Sequence, residues 1–412
     1  KINDVAYSVP KGSTILEAAR FAGINIPTLC YLKDLNEIGA CRVCVVEVKG
    51  ARSLVAACMH PVGEGMEIYT NTPAVIESRK MTMQLLLSVH DRKCLSCVRS
   101  GNCEFQQLCH DLGVEDEGRF DGAWPDVLYD DSAVHMIRDN SKCVLCRRCV
   151  AACEAQHTAV IGPNGRGFDT HIGCAFEQKL ADVACIACGQ CIVSCPTGAL
   201  VEKDDTAKVM EAIADPEKFV VVQTAPSIRA TLGECFDMPI GTNVKGKMVA
   251  ALRRLGFDRV FDTDFGADLT IMEEGTEFIH RVQEGGVLPM ITSCSPGWVK
   301  YIEHFYPELL PHLSSCKSPQ SMQGAVTKSW FAEKAGIDPK KIVSVSVMPC
   351  TAKKYEIQRD DMNGAGEGLM DNDYSITTRE LSRMIKKCGI DFVNLPEEDF
   401  DPCMDISTGA AA

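Results

Sequence analysis

Two stretches of the chain repeat a single spacing of thiols. CVLCRRCVAAC at 143–153 and CIACGQCIVSC at 185–195 each read C-x-x-C-x-x-C-x-x-x-C. Three thiolates this close wrap three corners of an iron–sulfur cubane, and the fourth cysteine of each run reaches the neighbouring cluster. Cys143, Cys146, Cys149 and Cys195 then form one ligand set, and Cys185, Cys188, Cys191 and Cys153 the other. Pro196 follows the second run as that pattern expects, whereas Glu154 stands after the first. Zinc motifs usually pair two C-x-x-C knuckles and do not run four cysteines together, which favours iron.

Two further sets precede these. Cys30, Cys41, Cys44 and Cys58 combine a close C-x-x-C with two outlying cysteines, the plant-type [2Fe–2S] arrangement with a longer first gap. The residues ahead of them suggest a ubiquitin-like mix: a strand through Ile2, Val5, Tyr7 and Val9, then a helix near 13–22. In HDRKCLSCVRSGNC, His90, Cys94, Cys97 and Cys103 could bind zinc. Between cluster modules the same set suits a [4Fe–4S] cluster with one imidazole ligand, whose missing negative charge raises the reduction potential. Cys109 is left over. Four redox centres in series make a wire, and a wire needs a terminal.

The elements that must position these groups follow from composition and pattern. A chain of 412 residues with 46% apolar content should form several domains. Its net charge of −14 argues against nucleic-acid binding and against docking on an anionic membrane. No apolar run approaches the ~18 residues of a spanning helix. Twenty-three cysteines in a long, acidic chain point to metal in a reducing compartment, hence the cytoplasm. Cysteine spacing divides the chain at 1–74, 75–136, 137–205 and 206–412. In the last part KFVVVQTAPS and KIVSVSVMPC each run from a buried strand into a loop, and strands alternate with helices. That describes an α/β domain with ligands at the carboxyl ends of its strands. The chain opens at Lys1 inside a strand-like pattern and closes on STGAAA, so both ends read as cuts in a longer protein.

One cysteine of this last part stands alone. In LPMITSCSPGW, Cys294 follows an apolar run, Val287 to Ile291, that reads as a short buried strand, and it precedes a tight break and an aromatic helical stretch. A thiol on the turn leaving a strand is better placed for chemistry than for packing.

The order of modules, together with TSCSPGW (292–298) and MPCTAKKYE (348–356), resembles the [FeFe]-hydrogenase family along essentially the whole chain. The resemblance implies an α+β multidomain protein: a plant-type ferredoxin (ubiquitin-like) domain, a small histidine-ligated [4Fe–4S] domain, a bacterial two-[4Fe–4S] ferredoxin domain, and an α/β H-cluster domain. The last is expected to be incomplete, with the family's third signature beyond Ala412. The implied reaction interconverts H2 with protons and electrons at the H-cluster, a cubane joined to a di-iron centre bearing CO, cyanide and a bridging amine dithiolate.

The residue roles below are carried over from that resemblance. Cys350 matches a cubane ligand. Lys353 matches the residue that hydrogen-bonds one cyanide, and a cation suits an anionic ligand. Pro226 and Ser227 match positions around the second cyanide, and Gln320 and Met348 match further lining positions. The usual motif has two adjacent cysteines, the first relaying protons and the second ligating the cubane. Strict register makes Cys294 the relay and leaves Ser295 in the ligand position, where its oxygen suits iron–sulfur less well than thiolate. Alternatively Cys294 ligates and Ser295 carries the proton. Glu274, Ser314, Glu277 and Arg281 fall on the proton path, and Glu277 and Arg281 are spaced to pair on a helix. Expected partners are H2, protons, and ferredoxin or flavin- and NAD(P)-binding subunits. The rival readings are an electron-transfer subunit of an NADH-dehydrogenase-like complex, which has no use for the TSC and MPC motifs, and a cluster scaffold, which needs no proton exit.

Overall fold

The computed structural model describes residues 1–115, 118–120 and 122–404. It divides into two compact units, Lys1–Cys185 with Gln190–Glu202, and Lys203 onward with Ile186–Gly189.

In the first unit Thr14 caps α1 (Ile15–Phe21): its hydroxyl accepts from the Glu17 amide and the Glu17 carboxylate accepts from its own. Ile15, Leu16 and Ala19 pack against Val46 and Ile68. Those two lie in an antiparallel sheet in which β1 (Val45–Val48) is flanked by β2 (Val55–Ala56) and β3 (Ile68–Tyr69). The strand expected at 2–9 does not form. Asn3 and Asp4 turn the chain at φ 47° and 66°, a left-handed conformation those two residue types tolerate best. Ile2 makes only isolated bridges, and Val5 and Tyr7 are exposed.

α2 (Pro73–Ser88) starts from a Thr72 cap with proline in its first turn and stops just before His90. With α3 (Glu104–Asp111) it buries Met83 and Phe105 in one cluster with Leu29, Cys30, Cys41 and Cys146. Three cysteine-bearing segments thus share a core. The buried Asn36 reinforces it, donating from Nδ2 to the carbonyls of Cys30 (2.7 Å) and Cys146 (3.1 Å). Beyond these come β4 (Tyr129–Asp130), β5 (Met136–Asp139), α4 (Arg148–Ala155), β6 (Gly162–Asn164), β7 (His171–Gly173), α5 (Gln190–Ser194) and β8 (Leu200–Glu202). β5 pairs antiparallel with β4 and β8, while β6 and β7 form a hairpin.

The second unit opens with α6 (Thr206–Ala214), β9 (Phe219–Thr224), α7 (Ile228–Thr231), α8 (Lys245–Leu255), β10 (Arg259–Asp262) and α9 (Thr263–Glu284). It continues with α10 (Pro296–Phe305), α11 (Pro319–Val326), α12 (Ala332–Ala335), β11 (Ile342–Met348), α13 (Ala352–Glu356), β12 (Tyr374–Thr377) and α14 (Thr378–Lys387). Four parallel strands form one sheet in the order β10-β9-β11-β12. Parallel sheets bury both faces, which accounts for the near-continuous apolar run of β9 and the buried serines among the valines of β11. The strand expected at Val287–Ile291 is absent: Val287 and Leu288 are exposed, and only Ile291 bridges, to Leu313. Pro289 has no amide to donate to a ladder.

The adjacent lysines of TAKKYE part company in this unit. Lys354 is fully buried, its ammonium bonded to Glu380 (2.9 Å), Asp205 (3.1 Å) and the Ser375 carbonyl (2.7 Å). Removing one partner of a buried pair strands the other charge. Lys354→Met should therefore cost the second unit about 3–5 kcal/mol, read as the opening free energy from amide exchange in β12. Adding Glu380→Leu should recover most of it, and a single-variant cost under ~1 kcal/mol would mean that solvent reaches this pair.

Candidate functional site

The cysteine sets of the first unit are held by short turns between the elements. Cys30, Cys41, Cys44 and Cys58 are all buried. Pairing of Val45 with Ala56 draws Cys44 Sγ to 3.4 Å from Cys58 Sγ. Cys41 and Cys44 are lowered to about 6 and about 7, chiefly by the hydrogen bond each receives from its partner thiol. Those partners, Cys30 and Cys58, are raised, first by the same bonds and then by burial. Buried thiols already half-converted to thiolate fit an iron–sulfur centre, since thiolate is the ligating species.

His90 is buried beside Phe105, with ring centroids 4.9 Å apart, and its Nδ1 has no partner. Burial lowers its pKa to about 4, leaving a neutral ring with a lone pair to offer. Cys94 lies in a single 3₁₀ turn just before Cys97, and Cys103 sits at the head of α3. Among the described residues no three His, Cys, Asp or Glu side chains converge closely enough to hold one metal ion.

Cys143, Cys146, Cys149 and Cys195 line one cavity, together with Val144, Ile172 and Leu200. The fourth cysteine of the second run thus joins three of the first. Burial pushes Cys143 up to about 12 and Cys146 to about 11, so three or four thiolates there require a compensating cation. Both runs curl through left-handed residues at matching places: Leu145 and Arg147 at φ 52° and 62°, Ala187 and Gly189 at φ 59° and 74°. Three of these four are not glycine, an uncommon conformation that the wrapped thiols demand. Of the second set, Cys153 lies on α4 and Cys191 on α5, and with Cys185 they pack against one apolar cluster. Cys188 falls in the Ile186–Gly189 segment of the second unit.

In the second unit the site grows from the carboxyl ends of neighbouring strands. β9 leads into Pro226 and Ser227, both exposed, and β11 ends at the buried Met348, just ahead of Cys350 and Lys353. Gln320, on α11, is buried; its Oε1 accepts from Ser346 (2.7 Å) and Ser375 (3.5 Å). The serine donors thereby turn the amide so that Nε2 is left without a partner. Thr224 Oγ1 and both amide atoms of Gln323 are also buried and unpartnered. Donors orphaned in this way fit an anionic ligand.

Cys294 is exposed, its Sγ 4.0 Å from Thr292 Oγ1, while its carbonyl accepts from Lys353 Nζ at 2.9 Å. Ser295 heads α10 without a side-chain cap bond. Glu277 is the hub of the acidic group. It accepts from Arg281 Nε (3.0 Å), Ser314 Oγ (3.1 Å), the Ser315 amide (3.0 Å) and the Ser315 hydroxyl (3.0 Å). Arg281 reaches on to the carbonyls of Leu313 and Pro311. Glu274 lies one turn earlier with a buried, unpartnered Oε1, not hydrogen-bonded into the hub. Missed by pattern are Cys316, whose Sγ is 3.9 Å from Glu277, and Glu356, which binds Lys353; its position three residues on within a helix was the available signal.

Residues 218–412 match the iron only hydrogenase large subunit, C-terminal domain. Residues 1–73 match a 2Fe-2S iron-sulfur cluster binding domain, and 79–117 the NADH-ubiquinone oxidoreductase-G iron-sulfur binding region. Over its whole length the chain is 49% identical to the NADP-reducing hydrogenase subunit HndD of Solidesulfovibrio fructosivorans, covering 72% of it. It is 44% identical to iron hydrogenase 1 of Clostridium pasteurianum, covering 71%. Half of the chain is 48% identical to the periplasmic [Fe] hydrogenase large subunit of Nitratidesulfovibrio vulgaris, covering 48% of that protein. Iron–sulfur domains followed by an iron-only hydrogenase domain define a redox enzyme of mixed helix and strand. The chain belongs to the [FeFe]-hydrogenase family and is a hydrogenase catalytic subunit, which displaces the reading as a bare electron-transfer subunit. Among the described residues no helix is long and apolar enough to cross a membrane.

The Glu277 hub has a pH signature. Burial is the largest single influence and raises its pKa, but Arg281, Ser315 and Ser314 together outweigh it and hold the carboxyl below its ordinary value. A depressed pKa stabilises the fold above the unfolded carboxylate range, ~4.3, and that stability is lost as pH falls through the folded value. Amide protection at Ser315 and Cys316, corrected for intrinsic exchange, should fall in acid. Glu277→Gln should abolish that dependence, and its persistence would assign the titration to another group.

Proposed function

We propose that this subunit interconverts H2 with protons and electrons at an H-cluster, electrons travelling along four accessory clusters. One [2Fe–2S] centre would be held by Cys30, Cys41, Cys44 and Cys58, in a domain of residues 1–74. One [4Fe–4S] centre would be held by His90, Cys94, Cys97 and Cys103, within 75–136. Two more, within 137–205, would use the cross-paired sets led by Cys143 and Cys185; the Cys143 cavity supports the cross-pairing. Residues 206–412 would form the α/β H-cluster domain.

The observation that carries the reading is the unpartnered, buried Nε2 of Gln320, on the same unit as a lysine anchored to the Cys294 carbonyl. When bound, the H-cluster supplies the metal at which H2 is made or split. Cys350 would ligate its cubane, Lys353 and Gln320 would donate to anionic ligands, and Pro226, Ser227 and Met348 would line the pocket. Strict register, with a Cys294 thiol not packed into the core, favours Cys294 as proton carrier and Ser295 as the residue at the cubane. A thiol is a group that can carry a proton. From there Glu274, Ser314, Glu277 and Arg281 would pass protons to solvent. Twenty-three cysteines in a long, acidic chain suit a reducing, cytoplasmic setting with ferredoxin or flavin- and NAD(P)-binding subunits as electron partners.

Three experiments test this. The reconstituted accessory sites should bind about 14 iron atoms, and stoichiometric zinc at the His90 set would remove one link. His90→Cys should keep a cubane and lower that centre's potential, because thiolate adds negative charge; an unchanged redox titration would exclude His90 as a ligand. In the full-length enzyme with a matured di-iron site, Cys294→Ala should keep the CO and cyanide infrared bands while turnover drops ~10²–10⁴-fold. Loss of those bands with the cubane signal would make Cys294 the ligand instead.

A further inference from the structure

Lys353 does not hold its own position. Its ammonium has three N–H donors; one reaches the Cys294 carbonyl at 2.9 Å and one the Oε2 of Glu356 at 2.6 Å. Glu356 is 4% exposed. Its other oxygen, Oε1, accepts from Ser321 Oγ at 3.1 Å and from Ser318 Oγ. One buried carboxylate therefore joins three pieces of chain: α13, which carries Lys353 and Glu356 on one face; the start of α11, which carries Ser318, Gln320 and Ser321; and, through Lys353, the Cys294 segment. Both carboxylate oxygens are engaged, and the lysine keeps one donor in reserve.

We propose that Glu356 is the positioning residue for the site lysine. It holds the Lys353 ammonium in place so that the remaining N–H is presented to the anionic ligand, and it fixes the backbone at Cys294 through the same ammonium. The inference rests on the reading of Lys353 given above. A purely architectural role is a poorer account, because α13 is already anchored by the neighbouring Lys354 through Glu380, Asp205 and the Ser375 carbonyl. The charge also matters. Glu356→Gln would weaken a charge-assisted bond to Lys353, and an amide NH2 turned toward the ammonium would set donor against donor.

The test uses the full-length protein carrying its iron–sulfur clusters but no di-iron centre. A synthetic di-iron dithiolate with carbonyl and cyanide ligands is then added, and its uptake and cyanide infrared bands are recorded. Glu356→Gln should keep wild-type iron content. Its cyanide bands should shift toward those of Lys353→Ala, and the double variant should show no shift beyond Lys353→Ala alone. Before the complex is added, amide exchange at Cys294 and Ser295 should be at least tenfold faster in Glu356→Gln than in wild type. Wild-type bands and exchange in Glu356→Gln, with shifted bands in Lys353→Ala, overturn the positioning role and leave the lysine's. Unshifted bands in Lys353→Ala overturn the reading of the lysine itself. If Glu356→Gln does not fold, Ser321→Ala decides: it removes one donor to Oε1, should shift the bands less in the same direction, and overturns the inference if it leaves them unmoved.

Discussion

The parallel pairing of β9 with β11 is the contact on which the second unit depends. Its register runs from Phe219 opposite Ile342 to Thr224 opposite Val347, so the two strands end level. Level ends send Ala225–Ser227 and Pro349–Lys353 out of the sheet from adjacent places. Six residues of backbone pairing, buried on both faces, give that juxtaposition a rigidity no loop could supply. Ser346 and Ser375 extend the same order sideways, since β11 and β12 set two hydroxyls against the Gln320 amide and decide which end of it stays unpartnered.

Charge is handled differently on the two sides of one helical turn. Lys354 points into the core, where two carboxylates and a carbonyl surround it, and Glu380 is raised by burial in spite of that lysine. Lys353 points to the site and keeps a donor uncommitted. Both need a buried counter-charge, because an ammonium removed from water without one is expensive. The buried lysine and the lysine proposed to act at the site differ in how completely their donors are used.

In the first unit the equivalent constraint is the burial of thiols. Around one cavity Cys143, Cys146 and Cys149 are driven upward by desolvation, and elsewhere four thiols share protons in pairs. Acquisition of the proposed clusters would therefore couple to folding of this unit, as for other sites whose ligands must deprotonate to bind. The shared core of Leu29, Met83, Phe105 and Val144 holds three of the cysteine segments together, so each site is braced by the packing of its neighbour.

Much was legible in the residues alone, for a physical reason: ligands that surround one cluster from one short loop must be close in sequence. The C-x-x-C runs, the α1 and α14 capping boxes and the Glu277–Arg281 pair are local, and local rules found or could have found them. Local patterns failed where backbone chemistry overrode hydrophobic alternation, at Asn3–Asp4 and at Pro289. What only the tertiary structure decided was long-range: that Asn36 bridges Cys30 and Cys146, and which of two adjacent lysines is buried. Cys316 and the serine partners of Glu356 belong to the same group, since a side chain's partners across 35 to 110 residues leave no periodicity in sequence and are chosen by the packing that brings them together.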